Sequence, residues 1–481
     1  MKQLKFLDLF AGCGGLSLGL EQAGLGLAAA VEKSPMAAET HFKNFHLRGQ
    51  AFDDAQWQEI LSNSSGGSFT KQVELGTVVG NVWDLLDDPE AMSLLREDIK
   101  PEVIVGGPPC QGFSMAGRRN PTDERNQLPW AFLRFVRELS PKAVVIENVS
   151  GINMAFRSRG GVESPFTQLR RSLEETGTGY LVQPVEVNAR HFGVPQNRPR
   201  MMLIGIRRDL PTASQVLANG GLSEVPWRSL DGFNALSSGG DPTCGMGLVP
   251  MVGSRVRGDS RKQEQRAGDA IVDLGDNGYL LTRNAAEYKT KEYRYARQMR
   301  RDSPAEVANH VMRKHTDKVV QRFDLYHFFA NEGISNSILG LPSRIADDHQ
   351  ARTAVKDLLG DHANALPDRL FAVNGDHDLV DVVMRLATRK HTQRVVNANE
   401  PSPTVVTLPD DYVHPDEPRI MTVRELARLQ SFPDWFEFRS KETTGSHRRK
   451  VEVPQYSQVG NAVPPLMAEA IGELLVATLE S

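Results

Sequence analysis

The first 32 residues follow the order strand, glycine turn, helix, strand and acid, and this order restricts the chain to a few folds. An apolar run at residues 4–10 predicts a strand that leads into Ala11-Gly12-Cys13-Gly14-Gly15. Leucines then predict a helix closing near Gly24, and residues 26–31 predict a second strand that ends at Glu32. Such a unit brings a helix N-terminus and a carboxylate to one sheet edge, where the carboxylate can accept both ribose hydroxyls of an adenosine group.

Three interpretations of this unit stay open. The spacing Gly-x-Gly-Gly differs from the Gly-x-Gly-x-x-Gly of dinucleotide-binding proteins, which weakens a nicotinamide cofactor without excluding it. S-adenosylmethionine also carries an adenosine group and fits the same elements. A glycine turn with no ligand is the third interpretation, because isolated glycine motifs are common.

The stretch Pro108-Pro109-Cys110-Gln111 predicts a presented thiol. The apolar run at residues 102–105 predicts a strand, and Gly106-Gly107 leads from it into two prolines that fix φ just before the cysteine. Most unpaired intracellular cysteines are small buried hydrophobic residues. The rigid approach, with the polar Gln111 and Ser114 behind it, instead favours an accessible nucleophile.

Further functional groups are predicted at the same sheet edge. Residues 77–82 and 143–146 predict two further strands, the second of which ends at Glu147-Asn148-Val149. A lone Glu after a strand is usually a loop residue or a helix cap, but beside Cys110 it becomes a catalytic candidate. Residues 185–207 predict two short strands around Arg198 and Arg200, which alternate along an extended segment and so project to one face. An edge strand charged against aggregation is the alternative.

Length and composition limit the class of protein. A chain of 481 residues is too long for one compact core, so we expect two domains. Its three cysteines, Cys13, Cys110 and Cys244, have no paired spacing, which argues against a disulfide framework and a zinc site and suits a reducing compartment. The N-terminal run is too short and too polar for a signal peptide, and no stretch approaches the ~20 apolar residues of a membrane span. We therefore expect a cytoplasmic protein that binds neither metal nor membrane.

The middle of the chain differs from its two ends. After Leu210, Gly, Ser and Pro are frequent and periodicity is weak, which predicts a separate domain to about residue 399. Thr422, followed three residues later by Glu425, predicts a capped helix over 422–430. The net charge of −4 does not suggest nucleic-acid binding. Basic clusters at 289–301, 313–322 and 448–450 are each typical of solvated helix faces, and become candidate phosphate contacts only together with the motifs.

Six motifs, in this order, resemble those of the DNA (cytosine-5) methyltransferase family over nearly the whole chain except the middle. They are Asp8-Leu9-Phe10-Ala11-Gly12-Cys13-Gly14-Gly15, Pro108-Pro109-Cys110-Gln111-Gly112-Phe113-Ser114, Glu147-Asn148-Val149, Gln196-x-Arg198-x-Arg200, Arg424-Glu425-Leu426-Ala427-Arg428-Leu429-Gln430-Ser431-Phe432-Pro433 and Gly460-Asn461-Ala462-Val463. The resemblance implies an α/β fold with a doubly wound, Rossmann-like methyltransferase sheet and a second, smaller target-recognition domain. Residues 1–208 plus 456–481 would form the catalytic and cofactor-binding domain, 209–418 the target-recognition domain, and 419–455 a hinge segment between them.

The resemblance also implies the site. S-adenosylmethionine would be bound by the residues that match the family's cofactor positions: Phe10, Cys13, Gly15, Glu32, Asn81, Pro109, Leu128 and Asn461. Cys110 would add to carbon 6 of a cytosine flipped out of duplex DNA, and Glu147 would hold or donate a proton at ring nitrogen 3. Arg200 would bind the 2-keto oxygen, while Arg198 would support the catalytic loop or a phosphate. The resemblance further implies an enzyme that acts on duplex DNA as a monomer. In a prokaryote it would be associated with the nucleoid, and its methylation would serve restriction-modification.

Two positions depart from the family pattern. Asn81 stands where the family usually has an acid that accepts from the adenine amino group, so that charge assistance is lost. Lys33 sits where some members place an aromatic ring against adenine. Target choice should lie between residues 210 and 417. The candidate DNA contacts there are Arg297, Arg300, Arg301, Arg313, Lys314 and Arg322.

Three other functions remain in competition. A tRNA cytosine methyltransferase would share the thiolate chemistry, although the long middle domain and Gly112-Phe113-Ser114 look more like the DNA enzymes. A nicotinamide oxidoreductase would leave Cys110, Glu147 and the paired arginines without roles. A DNA-binding module without catalytic activity would have no use for the complete set of predicted reactive residues.

Overall fold

The computed structural model describes residues 3–63, 68–109, 127–149, 164–220, 222–258, 260–275, 278–279, 294–304, 306–365, 376–390, 393–445, 448 and 451–480. Cys110, Gln111 and the Gly112-Phe113-Ser114 that follows lie outside the described residues. So do residues 289–293 and 449–450 of the basic clusters.

The centre of the molecule is an eight-stranded sheet in the order β3-β2-β1-β4-β5-β7-β6-β8. Its strands are β1 Lys5–Leu9, β2 Gly26–Glu32, β3 Thr77–Val79, β4 Val103–Gly106, β5 Ala143–Val149, β6 Tyr180–Asn188, β7 Pro199–Arg207 and β8 Trp227–Arg228. The first five run parallel, whereas β7 is antiparallel and lies between β5 and β6. The predicted α/β sheet with Rossmann-like winding is confirmed.

Eighteen α-helices are assigned within the described residues. Those of the N-terminal part are α1 Gly15–Gln22, α2 Pro35–Phe45, α3 Asp54–Asn63, α4 Thr70–Glu74, α5 Val82–Leu86, α6 Pro89–Leu94, α7 Leu128–Leu139 and α8 Pro165–Glu175. The others are α9 Pro211–Ala218, α10 Ser229–Ser238, α11 Ala267–Ile271, α12 Arg294–Arg300, α13 Asp317–Glu332, α14 Asp348–Leu359, α15 Leu379–Leu386, α16 Val423–Leu429, α17 Gln455–Asn461 and α18 Pro465–Glu480. Short strand pairs join β9 Leu274–Gly275 to β10 Gly278–Tyr279 and β11 Arg394–Val395 to β12 Tyr412–Val413.

Alternate side chains of the central strands enter two different cores. In β4, Val103 and Val105 belong to the core that α1 and α18 cover, while Ile104 belongs to the core that α7 and α8 cover. Successive residues of a strand point to opposite faces, so a sheet covered on both faces needs apolar residues at nearly every position. This explains why the parallel strands are continuous apolar runs in the sequence.

The C-terminal helix returns to the first helix. α18 packs against α1, and Gly19 of α1 leaves no room for a Cβ between it and Ala468. The apolar face of α18 is therefore buried in the core that α1 also covers. No single helix in the described part of the chain is long and apolar enough for a membrane span; α17 and α18, bent by 43°, pass that test only as a pair.

Most sequence-predicted elements are present with shifted ends. The strand predicted at 77–82 is wrong in its second half, because Asn81 caps α5 by accepting a hydrogen bond from the Trp83 backbone N–H at 3.2 Å. The strand predicted at 143–146 continues to Val149, which puts Glu147 inside β5. The two strands predicted as short within 185–207 have nine residues each. The capping box of Thr422 and Glu425 is confirmed.

The middle of the chain is more helical than its composition indicates. Buried side chains from 213 to 307 pack into the same core as α1 and α18. Residues 323–386, together with Val413 and Ile420, form a separate hydrophobic core from α13, α14 and α15.

Candidate active site

A cavity of about 900 Å³ opens at the carboxyl ends of β1, β2, β4 and β5. β1 is followed in space by β2 on one side and β4 on the other, so the cavity lies where the strand order reverses. Open α/β sheets bind their ligands at this point. Among the described residues that line it are Phe10, Cys13, Glu32, Asn81, Pro109, Leu128, Glu147, Arg198, Arg200 and Asn461. All of the predicted site residues that are described line this cavity except Gly15.

The loop after β1 and the end of β2 form the first wall of the cavity. Glu32 accepts hydrogen bonds from the Gly12 N–H at 2.9 Å and from the Ser34 N–H at 2.7 Å, one on each carboxylate oxygen. Burial raises the pKa of the Glu32 carboxyl, and these two donors together with the Lys33 N–H oppose that effect. A carboxylate has about four lone-pair sites, so Glu32 retains the capacity to accept a hydrogen bond from a bound ligand.

Cys13 and Gly15 shape this wall by packing. The Cys13 thiol is buried and donates to the Gln458 carbonyl oxygen at 3.6 Å. Burial raises the pKa of Cys13 to about 12, so it contributes a neutral thiol to the wall. Gly15 does not line the cavity. It packs against Val463 instead, and a Cβ at position 15 would overlap the Val463 carbonyl oxygen. The glycine instead admits the C-terminal segment, whose Asn461 and Val463 line the cavity.

Asp8 is a buried carboxyl on this wall that the sequence analysis did not single out. Its Oδ2 accepts from the Ser17 hydroxyl at 2.6 Å, and its Oδ1 has no hydrogen-bond partner within the described part of the chain. Burial raises the pKa of Asp8 to about 7. Its place within an otherwise apolar strand was the one available signal, since a buried strand seldom carries a carboxylate without a reason.

The cavity lining also contains an aromatic ring that was not predicted. Trp83 lines the cavity, as do Asn81 and Lys33. Asn81 uses one lone pair of its amide oxygen to cap α5 and retains the other. Trp83 lies two residues after Asn81, the position at which the family usually has an acid. Because a strand was predicted over 77–82, no role was predicted for Trp83.

Glu147 and Arg200 form an ion pair inside the cavity. The Arg200 Nε lies 2.7 Å from the Glu147 Oε1, and their side chains are 11% and 13% exposed. Glu147 pairs with Met202 across β5 and β7, so Arg200 is its diagonal neighbour on the same face. A Cβ at position 107 would come within 2.9 Å of the Glu147 Oε2. Gly107 therefore makes room for this carboxylate next to Pro108.

Arg198 has a different environment from Arg200. It is 2% exposed, and its guanidinium donates to the carbonyl oxygens of Val405 at 3.3 Å, Gly460 at 3.0 Å and Ala462 at 2.8 Å. Burial lowers the pKa of Arg198, and the nearby Arg200 adds to this effect. The described contacts of Arg198 are thus to backbone carbonyls that hold the C-terminal segment against the cavity.

Asn148 ties two elements of the site together. Its Nδ2 donates to the Pro108 carbonyl oxygen at 3.0 Å, and its Oδ1 accepts from the Val149 N–H at 2.9 Å. Asn148 is buried, so this clamp fixes the loop after β4 two residues before Cys110. Asn148 belongs to the Glu147-Asn148-Val149 motif, but nothing local in the sequence connects it to Pro108, so its role was not predicted.

Comparison with known proteins identifies relatives over the whole chain. The family model for C-5 cytosine-specific DNA methylase matches residues 4–64 and 88–477. The type II methyltransferase M.DdeI of Desulfomicrobium norvegicum is 30% identical over 98% of this chain and 88% of its own length. M.XorII of Xanthomonas oryzae pv. oryzae is 28% identical over 98% and 84%. A prophage-encoded DNA modification methyltransferase candidate from E. coli shares the fold, with a TM-score of 0.53 and 20% identity over all of both chains.

Proposed function

The chain belongs to the C-5 cytosine-specific DNA methylase family, and we propose that it methylates cytosine in duplex DNA with the residues of the cavity described above. The observation that carries the residue assignment is the Glu147–Arg200 pair, which shares one cavity with the glycine loop, Glu32 and Pro109. A carboxylate and a guanidinium side by side can bind one edge of a cytosine ring. The glycine loop and Glu32 fit an adenosine group on the same cavity's other side.

We propose S-adenosylmethionine as the cofactor because the lining fits its parts. Glu32 retains acceptor capacity for the ribose hydroxyls, and the Asn81 amide oxygen can accept from the adenine amino group. Phe10, Pro109, Leu128 and Asn461 complete the proposed lining, with Cys13 as a packed thiol. The cofactor supplies an electrophilic methyl group. Lys33 has no aromatic ring to place against adenine. We therefore assign that contact to Trp83.

The chemistry of the base follows from the residue types. Carbon 5 of cytosine is a poor nucleophile, so Cys110 adds its thiolate to carbon 6 and the ring becomes an enamine. Glu147 holds a proton at ring nitrogen 3, and Arg200 binds the 2-keto oxygen, which stabilises the charge that develops there. After methyl transfer a base removes the proton on carbon 5, and the Cys110 sulfur leaves. Both ring faces are covered in a stacked helix, so the cytosine has to be flipped out.

Arg198 and Asn148 are positioning residues in this proposal. Arg198 holds the backbone on both sides of Asn461 through the Gly460 and Ala462 carbonyls and also donates to the Val405 carbonyl, while Asn148 holds the Pro108 carbonyl. If Arg198 bound a DNA phosphate instead, these carbonyl oxygens would lose their hydrogen-bond donor. Rigid support of this kind keeps reacting groups within a few tenths of an ångström of a productive geometry.

We propose that residues 209–418 recognise the DNA sequence and that 419–455 connect them to the catalytic part, residues 1–208 plus 456–481. The separate core at residues 323–386 supports a distinct recognition unit. Buried contacts support the connecting role, because Arg424 donates to the Ala308 carbonyl at 2.9 Å and Arg428 pairs with both Asp273 and Asp434. Since the relatives are type II methyltransferases, the methylation serves restriction-modification in the cytoplasm.

The test is transfer of a tritiated methyl group from S-adenosylmethionine to duplex DNA, with tRNA as the parallel substrate. Cys110→Ser should abolish transfer and leave S-adenosylmethionine binding nearly unchanged, because the sulfur makes a bond to the base and adds little to cofactor affinity. Duplex DNA with 5-fluorocytosine at the target should give a Cys110-dependent band shift on a denaturing gel. Substantial turnover by Cys110→Ser would refute the assignment, and transfer to tRNA in preference to DNA would refute the substrate.

A further inference from the structure

A cleft of about 480 Å³ lies on the surface next to α12. Among the described residues its lining consists of five arginines and one glutamine: Arg257, Arg294, Arg297, Gln298, Arg300 and Arg301. We call it the arginine cleft. No carboxylate belongs to this described lining, so its surface is strongly positive.

The cleft is built on one face of a short helix. Arg294, Arg297 and Arg300 are three residues apart, and side chains at that spacing share a helix face. The other face is buried: the Tyr295 hydroxyl donates to the Arg428 carbonyl oxygen at 2.6 Å, and the Met299 carbonyl accepts from the Asp434 N–H at 2.7 Å. These contacts fix α12 with its arginines toward the cleft.

The fifth arginine is brought in by a hydrogen-bonded loop. The Arg257 backbone N–H donates to the Gln298 Oε1 at 2.8 Å, which joins the loop to α12. Gly258 adjoins the Arg294 guanidinium, since a Cβ there would lie 3.8 Å from its Cζ. The side chain of Arg257 remains exposed and completes the cleft. Gln298 thus has a structural role in the cleft.

Acidic side chains also lie around the cleft. Arg300 lies 3.9 Å from Asp273, which also pairs with the buried Arg428, and Arg301 lies 3.5 Å from Asp302. Guanidinium groups bind phosphate through two parallel N–H donors, which makes arginine the usual choice for nucleic-acid backbones. The ligand class that fits is a polyanion with several phosphates.

We propose that the arginine cleft binds consecutive backbone phosphates of the duplex DNA substrate, and this inference rests on the proposed function. From Arg294 to Arg300 the helix rises about 9 Å. One DNA strand has a phosphate about every 3.4 Å along the helix axis, so this length spans two to three phosphates. A single inorganic phosphate would occupy only part of the cleft.

The structure separates this cluster from the other basic stretch in the middle segment. Arg313 lies 4.0 Å from Asp410 and 3.9 Å from Glu442, and the Arg322 Nε donates to the Leu386 carbonyl at 3.0 Å. Those guanidinium groups support the protein's own structure. Of the six sequence candidates for DNA contacts, Arg297, Arg300 and Arg301 line the cleft, and Arg257 and Arg294 join them.

The test measures the dissociation constant for a duplex that carries the methylated site, over a range of KCl concentrations. The double variant Arg297→Gln with Arg301→Gln should raise Kd on the order of 10-fold near 0.1 M salt and lower the slope of log Kd against log[KCl] by about 1 per lost contact. The same positions changed to Lys should restore most of the slope. Arg352→Gln is the control, because Arg352 pairs with Asp348 and Asp381 and does not line the cleft.

Wild-type methylation of DNA is measured first, so that failure of the proposed function is recognised separately. Unchanged melting and S-adenosylmethionine affinity would show that the Gln variant is folded. An unchanged slope and Kd overturn the inference, as does a weaker Kd with an unchanged slope, which would indicate lost packing. Tighter binding of tRNA than of duplex DNA by the wild type overturns it as well.

Discussion

Replacing Asp8 by Asn should make the protein progressively more stable than the wild type as the pH rises from 5 to 8. In the folded protein the Asp8 Oδ2 accepts from the Ser17 hydroxyl, and among the residues that the structure describes its Oδ1 has no hydrogen-bond partner. Burial raises its pKa from 3.8 to about 7, and the neighbouring Glu32 adds to that effect. An Asn side chain keeps an oxygen for Ser17 and cannot ionise.

The sign follows from proton linkage. A carboxyl with the higher pKa in the folded state binds its proton more tightly there, so the folded form loses stability once the unfolded chain ionises. That loss begins near pH 4 and is complete above about pH 7. At about 1.4 kcal/mol per pH unit the full effect is about 4 kcal/mol, of which about 2–3 kcal/mol falls between pH 5 and pH 8.

Urea denaturation of both proteins, without cofactor, at pH 5, 6, 7 and 8 measures this difference directly. Asp88→Asn is the control. Burial opposes ionisation of Asp88, but hydrogen bonds from the Ala91 and Phe69 N–H groups outweigh it and lower its pKa. Stability from Asp88 is present above pH 4 and lost only as the pH falls further, so its variant should show no trend between pH 5 and 8. Parallel profiles for Asp8→Asn and wild type would refute the reasoning.

Three further changes test other parts of the structure. Gly19→Ala should destabilise the protein by about 1–3 kcal/mol in urea denaturation, because the added methyl group overpacks against Ala468, although alanine is the better helix former. Gly445→Ala is the control and should be nearly neutral, because a Cβ there meets open space. Arg198→Met should cost about 3–5 kcal/mol, because three buried carbonyls lose a charged donor, and should weaken S-adenosylmethionine binding in calorimetry; unchanged binding would contradict its positioning role. Trp83→Leu should lose at least half of any tryptophan fluorescence quenching by S-adenosylmethionine and raise its Kd about 3–10-fold, as expected for about 1 kcal/mol of aromatic contact, whereas equal quenching would assign the adenine contact elsewhere.

Local patterns in the sequence were sufficient for the elements that depend on neighbours along the chain. The apolar runs of β1 and β4 and the capping box of Thr422 and Glu425 are set by side-chain alternation and by local hydrogen bonds. The strand–turn–helix order also predicted the sheet edge at which the cavity opens, because parallel strands deliver their carboxyl ends to one side. The helical end of the strand predicted at 77–82 was missed because one side-chain cap at Asn81 overrode the apolar pattern.

The sequence by itself thus determined the family, the α/β class and the residues that converge on one sheet edge, since each is written in motifs of a few adjacent residues. The tertiary structure decided how those residues are used. β7 runs antiparallel between β5 and β6, and only that order places Arg200 diagonally next to Glu147. Arg198, two residues away, meets backbone carbonyls from the far C-terminus, and Asn148 meets Pro108. Such partners depend on which strands become neighbours, and strand order is a property of the whole packed chain that no local pattern contains.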